Sequence, residues 1–342
     1  MKILVTGGLG FIGSHTVVEL QNEGFEVIIV DNLSNSNITV LDGIKKITGK
    51  KPKFEKLDIL DTKKLKKFFD KNQDIEAIIH FAAYKSVAES IEQPLKYYRN
   101  NVLGLVNVLE EMKNHKIKNF IFSSSATVYG EADKFPVTEN SPTKKATCPY
   151  GSTKIISEQI LEDLSKTDKN FNIISLRYFN PIGSHETSFI GELPIGIPAN
   201  LVPFITQTGI GKRKELKIFG NDYNTPDGSC IRDYIHVVDL ARAHISALNR
   251  LIQNKNNYEV FNIGTGHGTS VLEMIKIFEK VSDVKLNYSI VGRRDGDIAI
   301  SYADVSLANK ELNWKTEKTI DEAVLSAWNW EKYINKNKNN SL

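Results

Sequence analysis

A glycine-rich turn directly after the first predicted strand is the strongest constraint on the fold of this chain. The strand KILVT runs into TGGLGFIG, which fits GxGxxG from Gly8 and GxxGxxG from Gly7, and helical residues follow. Glycines permit a tight turn, a close approach of backbone amides to a diphosphate, and close packing of the helix on the sheet. Asp31, at the end of the second predicted strand, completes the βαβ unit expected of a dinucleotide-binding protein.

The rest of the first half alternates β-rich runs with longer helical patterns. The runs KILVT, EVIIVD, KFEKLD, AIIHFA, NFIFSSS and NIISLRYF are separated by segments suited to crossover helices. This alternation predicts an α/β fold with a Rossmann-like, doubly wound parallel sheet. Two of the runs, AIIHFA and NFIFSSS, are nearly continuously apolar, which is typical of central strands covered on both faces.

The second half predicts an excursion from this sheet and a return to it. Prolines among glycines after Phe179 indicate irregular structure, whereas RDYIHV, DLARAHISALNRL and YEVFNIG resume a strand, helix, strand pattern. The domain boundaries that we predict are residues 1–180 with 231–263 for dinucleotide binding, 181–230 with 264–332 for a smaller mixed α/β substrate domain, and 333–342 for a flexible tail.

Composition and charge limit the classes of binding partner and the cellular compartment that we expect for this chain. The 342 residues include 44 Lys plus Arg and 41 Asp plus Glu, and the net charge of +3 is too small to indicate nucleic acid or a membrane surface as the main partner. Cys148 and Cys230 cannot form a disulfide framework and show no metal-ligand spacing. No apolar run approaches the roughly 20 residues of a membrane helix. We therefore expect a cytoplasmic protein without a metal site.

Tyr150 and Lys154 lie four residues apart at the start of a predicted helix, which places them on one face. Amphipathic helices produce this spacing by chance, but here it follows the serine-rich end of the fifth strand, so strand and helix can meet above a nicotinamide. A tyrosine with a pKa of about 10 acts as a base at neutral pH only if positive charge favours its phenolate. Lys154 and an oxidised nicotinamide would supply that charge.

Two strand-end carboxylates bear on the choice of dinucleotide. Asp31 should accept hydrogen bonds from the adenosine ribose hydroxyls, and its charge would repel a 2′-phosphate, so NAD is favoured over NADP. Asp58, which closes the third strand, can bond the adenine amino group, but a solvated strand-end carboxylate is an equally simple interpretation.

Longer motifs give a more specific resemblance over nearly the whole chain. The segments TGGLGFIG, HFAAYKSVAES, FSSSATVYG, YGSTK, LRYFNPIG, and IFGNDYNTPDG through RDYIHVVDLA resemble the UDP-glucose 4-epimerase family of extended short-chain dehydrogenases/reductases. The resemblance implies reversible C4 epimerisation of UDP-glucose and UDP-galactose through a 4-keto sugar, with hydride stored on tightly held NAD. It also implies a homodimer formed by paired helices around Leu95 to Met112 and Tyr150 to Lys166, although their apolar positions can equally belong to the core.

The same resemblance implies a role for individual residues. Tyr150 would remove the sugar 4-hydroxyl proton, Lys154 would tune that tyrosine and hold the nicotinamide ribose, and Ser125 would relay or position the proton. The cofactor-contacting residues that it implies are Gly7, Gly10, Phe11, Ile12, Gly13, Asp31, Asn32, Asn35, Ser36, Asp58, Ile59, Phe81, Ala82, Ala83, Lys85, Asn100, Ser125, Tyr150, Lys154 and Tyr178. Those implied for the UDP-sugar are Lys85, Ser125, Thr127, Tyr150, Phe179, Asn180, Asn200, Leu201, Phe219, Arg232, Arg294, Asp297 and Ser301.

Simpler interpretations remain open for several of these residues. Phe219 can be a core aromatic, Arg232 and Arg294 can form surface salt bridges, and the Thr127 hydroxyl can satisfy nearby backbone. His80, a lone strand histidine, is expected to be structural.

Ser301 bears on substrate breadth. It matches the position where narrower family members have a bulky tyrosine and broader ones a small residue, which predicts activity on UDP-N-acetylglucosamine and UDP-N-acetylgalactosamine as well. The alternatives are a solvent-facing loop serine, or a cavity filled by Ile300 or Tyr302.

Two other functions fit the same fold. A sugar-nucleotide 4,6-dehydratase shares the tyrosine and lysine, but relatives of that type carry Asp-Glu where this chain has Ala126 and Thr127. A non-catalytic dinucleotide sensor does not require Ser125, Tyr150 and Lys154, all of which are present.

Overall fold

A seven-stranded parallel sheet forms the centre of the fold in the computed structural model, which describes residues 1–253, 257–294 and 296–339. Its strands are β1 (Lys2–Thr6), β2 (Glu26–Asp31), β3 (Lys53–Lys56), β4 (Ile75–His80), β5 (Asn119–Ser125), β6 (Asn172–Tyr178) and β11 (Tyr258–Ile263). The order across the sheet is β11-β6-β5-β4-β1-β2-β3, so the direction of winding reverses between β1 and β4. Ligands of open α/β sheets bind beyond the carboxyl ends of the strands at such a reversal.

Helices cover both faces of this sheet, which confirms the predicted doubly wound α/β class. One face carries α1 (Phe11–Asn22), α2 (Val40–Thr48) and α9 (Val237–Ile252). The other carries α3 (Thr62–Lys71), α6 (Gly104–Asn114) and α7 (Pro149–Thr167), and α6 is preceded by α4 (Val87–Glu92), α5 (Pro94–Tyr97) and a π-helical turn at Tyr98–Leu103. Because successive strand side chains point to opposite faces, Ile3 and Leu4 of β1 enter different cores.

The remaining strands form three small sheets around a separate core. They are β7 (Asn180–Ile182), β8 (Leu216–Phe219), β9 (Ile231–Arg232), β10 (Tyr234–His236), β12 (Thr269–Ser270), β13 (Tyr288–Val291) and β14 (Ile300–Ser301), paired as β10-β7, β12-β9-β14 and β13-β8. The helices of this part are α8 (Leu201–Gly209), α10 (Val271–Ser282) and α12 (Ile320–Asn339), whereas α11 (Ser306–Glu311) contacts β11 and buries Ala308 in the core of the main sheet. Ile205, Ile218, Phe278 and Trp328 are buried together in the separate core.

The chain returns to the main sheet by a route that differs in part from the prediction. Helix α9 packs on the sheet and β11 pairs with β6, as expected. The run RDYIHV was expected to belong to the dinucleotide-binding half, but it is split into β9 and β10, which pair with strands of the small sheets. The physical reason is that β11 already occupies the edge of β6, so residues 231–236 do not pair with β6 and pair instead with β7, β12 and β14.

The C-terminal segment also differs from the flexible tail expected at 333–342. Helix α12 continues to Asn339, and residues 340–342 lie outside the described residues. Tyr333 stacks on Trp330 with ring centroids 6.0 Å apart and meets Phe189 edge-on at 5.9 Å. These aromatic contacts hold the last turns of α12 in place, although their lysine- and asparagine-rich sequence predicts a flexible tail. Within the described ranges, no helix has the length and apolar character needed to cross a membrane.

Asp233 joins three segments of the smaller part of the fold. Its carboxylate is completely buried and accepts hydrogen bonds from the Thr265 amide (2.8 Å) and hydroxyl (2.7 Å), the Gly266 amide (3.1 Å) and the Ala303 amide (3.3 Å). Its own amide donates to the Ser301 carbonyl at 3.0 Å. The residue therefore fixes β9, β14 and the turn after β11 relative to one another.

We predict that Asp233→Asn lowers the free energy of unfolding by about 3 kcal/mol, because the new amide group would face N–H donors and leave some of them unpaired. A urea titration of both proteins measures the difference. Asp222→Asn is the matched control, since that exposed carboxylate pairs with the exposed Arg293 side chain and its loss should change the free energy of unfolding far less. Equal losses in the two variants would contradict the role of Asp233.

Candidate active site

The glycine turn between β1 and α1 brings two stretches of backbone into close contact. Gly7 has φ +69°, and a Cβ on it would lie 2.8 Å from the Ala82 amide nitrogen. A Cβ on Gly13 would lie 2.4 Å from the Gly7 carbonyl oxygen. The first amides of a helix have no partner within the helix, so the turn presents α1 to an anion at Phe11 and Ile12.

A cleft opens beside this turn, along the carboxyl ends of β1, β2 and β4. Eleven of the predicted cofactor residues line it, namely Gly7, Gly10, Asp31, Asn32, Asn35, Ser36, Ile59, Phe81, Ala82, Ala83 and Asn100. Val30, Ser34, Leu57 and Tyr84 also line it and were not predicted. The sequence indicates these four residues only by their position, because each one adjoins a predicted residue or the end of a strand. The other nine predicted cofactor residues, all among the described residues, are not part of its lining, namely Phe11, Ile12, Gly13, Asp58, Lys85, Ser125, Tyr150, Lys154 and Tyr178.

The two strand-end aspartates are tied to the loops around the cleft. Asp31 accepts hydrogen bonds from the Leu9 amide (3.1 Å), the Leu33 amide (2.9 Å) and the Ser36 hydroxyl (2.8 Å). Asp58 accepts from the Asn32 side chain at 3.0 Å. A carboxylate has about four acceptor directions, so Asp31 can hold the glycine turn and still accept from a ligand hydroxyl.

The catalytic candidates meet where β5 ends and α7 begins. The Lys154 ammonium donates a hydrogen bond to the Ser123 carbonyl and lies 4.8 Å from the centre of the Phe122 ring and 5.8 Å from that of Tyr150. Ser125 ends β5, and its hydroxyl accepts from the Thr127 amide at 3.2 Å. The structure thus places Ser125, Tyr150 and Lys154 at one point of the sheet edge.

The electrostatics of this group bear on the expectation that Lys154 and an oxidised nicotinamide together favour the Tyr150 phenolate. Burial raises the pKa of Tyr150 to about 12, and hydrogen bonding by Ser125 only partly opposes this. Burial also lowers the pKa of Lys154 to about 7, against the favourable charge of Glu158. Because desolvation disfavours charge on both groups, the protein part of the site does not by itself produce a phenolate at neutral pH.

A buried polar network beneath the site was missed by sequence reasoning. Arg177 donates to both oxygens of Glu158, at 2.7 and 3.0 Å, and Ser124 donates to the same carboxylate. Glu158 follows Lys154 by one helical turn, and this spacing was the only indication in the sequence that the two lie close together.

His244 supports Tyr178 in a second buried contact. It donates from Nδ1 to the Leu240 carbonyl at 2.8 Å, so its Nε2 accepts from the Tyr178 hydroxyl.

His80 fits its structural interpretation. It hydrogen-bonds Thr6 at 2.9 Å and stacks near Phe120 and Phe122, and burial lowers its pKa to about 3. In the described part of the chain no group of three or more His, Cys, Asp or Glu side chains is arranged to hold a metal ion.

Several of the predicted sugar-nucleotide residues form two groups at the small sheets. Arg232 in β9 lies opposite Ser301 in β14, close to Asn180, whose amide donates to the Asp233 carbonyl at 2.9 Å. Phe219 lies at the end of β8 beneath the Arg294 guanidinium, at 5.4 Å, and Arg294 pairs with Asp297 at 2.6 Å.

Two of the simpler interpretations do not fit this geometry. Phe219 is 38% exposed and is therefore not a core aromatic. The Thr127 hydroxyl oxygen is buried and has no hydrogen-bond partner among the described residues, so it does not satisfy the backbone. Phe179 is buried at the end of β6, and Asn200 and Leu201 begin α8.

The fold and site define a sugar-nucleotide-modifying member of the short-chain dehydrogenases/reductases. A family model described as GDP-mannose 4,6 dehydratase matches residues 4–326. The chain is 51% identical to UDP-glucose 4-epimerase of Haemophilus influenzae over 97% of its own length and 98% of that protein, and 49% identical to the Bacillus subtilis enzyme over 97% of each. The chain belongs to the UDP-glucose 4-epimerase family.

Solved structures give the same relationship. UDP-glucose 4-epimerase from Stenotrophomonas maltophila, crystallised with NAD and formylated UDP-arabinopyranose, is 46% identical with a TM-score of 0.95, covering 98% of this chain and 99% of that one. The UDP-Glc/GlcNAc 4-epimerase of Campylobacter jejuni is 37% identical with a TM-score of 0.84, covering 97% and 99%.

We predict that Lys154→Met stabilises the nucleotide-free protein, and more so near pH 7 than near pH 9. Burial lowers the pKa of Lys154 from 10.5 to about 7, so between these values the unfolded chain binds a proton that the folded chain does not. The stability of the parent therefore rises with pH in this window, and the advantage of the variant should shrink by about 2 kcal/mol from about pH 7 to about pH 9. Denaturant titrations at both pH values measure it. Lys217→Met, at an exposed position, is the control, and an advantage that does not change with pH would refute the prediction.

Proposed function

We propose that this chain catalyses the reversible C4 epimerisation of UDP-glucose and UDP-galactose, with NAD as a tightly bound cofactor. The observation that carries the proposal is the convergence of Tyr150, Lys154 and Ser125 beside a dinucleotide-type cleft, in a chain about half identical to UDP-glucose 4-epimerases over nearly its full length. Fold alone would not suffice, because this fold carries many reactions.

The residues around the cleft fit NAD. The turn at Gly7 and Gly13 has no room for a side chain and leaves the start of α1 open to a diphosphate, and the Asp31 carboxylate suits a ribose diol. When bound, NAD supplies a reversible hydride acceptor and a positive charge beside Tyr150. That charge favours the phenolate that the protein part of the site disfavours.

The chain's own residues then carry out the proton chemistry and hold the substrate. Tyr150 removes the proton of the sugar 4-hydroxyl and later returns it, while Ser125 hydrogen-bonds the phenol oxygen and Lys154 adds charge when protonated. Arg232 and Arg294 suit the diphosphate, since a planar guanidinium bonds two oxygens at once. Anchoring the substrate by its UDP leaves the sugar free to present either face.

The two other functions are less well supported. A 4,6-dehydratase needs an additional acid and base for elimination, and the positions that would supply them are Ala126 and Thr127 in the 3₁₀ turn after β5. A dinucleotide sensor would not need a tyrosine and lysine buried at a free-energy cost.

We further propose the division of labour predicted from the sequence, with the main sheet binding NAD and the small sheets binding the UDP-sugar. A homodimer through the helices around Leu95 to Met112 and Tyr150 to Lys166, which lie in α5, the π-helical turn, α6 and α7, belongs to the same proposal. These segments expose apolar side chains, and Leu95 is 81% and Leu103 48% exposed. Burial of such a face favours association. Cys148 and Cys230 are buried and unpaired, which fits a cytoplasmic enzyme.

Acetylated sugar nucleotides are part of the proposed substrate range. Ser301 is half-buried and lies opposite Arg232, so a tyrosine at this position would take up space beside the diphosphate anchor. Tyr302 stacks on Phe135 with ring centroids 5.8 Å apart, which holds it away from the space beside Ser301. The Campylobacter jejuni relative is described as a UDP-Glc/GlcNAc epimerase.

Tyr150→Phe should retain bound NAD and UDP-sugar affinity but lose most turnover, because the change deletes the proton acceptor and keeps the ring. General acid–base catalysis is commonly worth about 10² to 10⁴-fold, and a loss in that range is expected. Purified protein mixed with UDP-galactose, without added cofactor, is followed for UDP-glucose by NMR. Near-normal epimerisation by the variant would remove Tyr150 from this role.

Ser301→Tyr should reduce turnover of UDP-N-acetylglucosamine by at least about tenfold while largely preserving that of UDP-galactose, because the added ring fills the space needed by the acetyl group. Parallel assays of both substrates measure the ratio. Ser306→Tyr, at an exposed position five residues further on, is the control. Equal loss on both substrates, or a parent inactive on acetylated sugars, would refute the assignment.

A further inference from the structure

Glu192 joins two side chains that the resemblance implies for ligand binding, Lys85 for NAD and the UDP-sugar and Asn200 for the UDP-sugar. Its Oε1 accepts hydrogen bonds from the Lys85 ammonium at 3.0 Å and from the Asn200 amide group at 2.7 Å. Lys85 follows β4 of the main sheet, and Asn200 is the N-cap residue of α8 in the smaller part of the fold. One oxygen atom thus connects a loop of the main-sheet part of the fold with the start of α8 in the smaller part.

The C-terminal helix α12 fixes the backbone position of Glu192. Its carbonyl accepts from the Trp330 indole N–H at 2.8 Å. The preceding Gly191 packs so closely on the Trp330 ring that a Cβ would lie 2.6 Å from it. The side chain itself is only 12% exposed. The backbone at Glu192 is therefore held in place by α12, and the carboxylate extends from this point to Lys85 and Asn200.

The effect of this carboxylate on its two partners is specific. Lys85 is about half exposed, and its long side chain loses considerable rotamer freedom when its ammonium is held at one point. Asn200 donates its amide group to Glu192, so its carbonyl oxygen is left to accept from an N–H or O–H of a ligand. Both side chains are thus oriented before any ligand contacts them, which lowers the entropy cost of binding.

We propose that Glu192 is a positioning residue for the sugar nucleotide, acting through Lys85 and Asn200. The proposal rests on the proposed function for the identity of the ligand. It assigns Glu192 no contact with the reacting atoms, so its loss should weaken binding and leave the chemical step largely intact. An exposed ion pair would contribute little by itself, and the proposed contribution comes from orienting two ligand-contacting groups at once.

The test compares Glu192→Gln and Glu192→Ala with Glu186→Gln, a control at an exposed position on the same segment. UDP affinity is measured by calorimetry on the NAD-loaded protein, and KM and kcat are measured with UDP-galactose. Loss of a hydrogen bond to a charged group corresponds to about tenfold in affinity, so Glu192→Ala should raise the UDP Kd and the KM by about tenfold. Glu192→Gln keeps one acceptor and should raise them by about threefold, with kcat within about twofold in each variant.

Trp330→Phe provides a second route to the same result, because it removes the indole N–H that holds the Glu192 backbone and keeps an aromatic ring against Gly191. It should raise the UDP Kd in the same direction, by less than Glu192→Ala. An unchanged UDP Kd in both Glu192 variants would overturn the proposal, as would a loss shared equally between kcat and KM. If the parent binds UDP but does not epimerise, the proposed function fails while the UDP comparison still decides the role of Glu192.

Discussion

The contact between the glycine turn and the end of β4 is the constraint on which the site depends. Gly7 lies against the backbone at Ala82, and Gly13 against the carbonyl of Gly7, at distances that exclude any side chain. This contact brings the N-terminus of α1 to the point where the strand order reverses. The cleft follows from it, since the ends of β1, β2 and β4 become the walls of one depression.

The catalytic candidates at the end of β5 and the start of α7 are buried or half-buried, although the proposed reaction requires charged side chains there. Burial disfavours charge on both Tyr150 and Lys154, yet the proposed reaction needs a phenolate supported by a cation. The structure relieves part of this conflict with hydrogen bonds from Ser125 and with the Glu158 carboxylate one turn below. The remaining stabilisation of the phenolate would come from the positive charge of oxidised NAD when it is bound.

Buried carboxylates organise the smaller part of the fold in a similar way. Asp233 gathers amides from two separate segments beside Arg232 and Ser301, and Glu192 gathers side-chain donors from both halves of the molecule. In each case one carboxylate accepts several hydrogen bonds and so connects segments that are not joined by a regular ladder of backbone hydrogen bonds. These side-chain contacts therefore fix segments of the smaller part of the fold relative to one another.

The sequence by itself determined the α/β class, the glycine turn, the Tyr150–Lys154 pair on one helix and the family, because these depend on local periodicity and short motifs. Only the tertiary structure decided that β9 and β10 pair outside the main sheet, that α12 continues to Asn339, and that Glu158, His244 and Glu192 lie against residues predicted for the site. Those outcomes depend on which edge is already occupied and on contacts between residues as far apart as Lys85 and Glu192. The pKa shifts of Tyr150 and Lys154 belong to the same group, since desolvation is a property of the packed molecule and has no local signature in the chain.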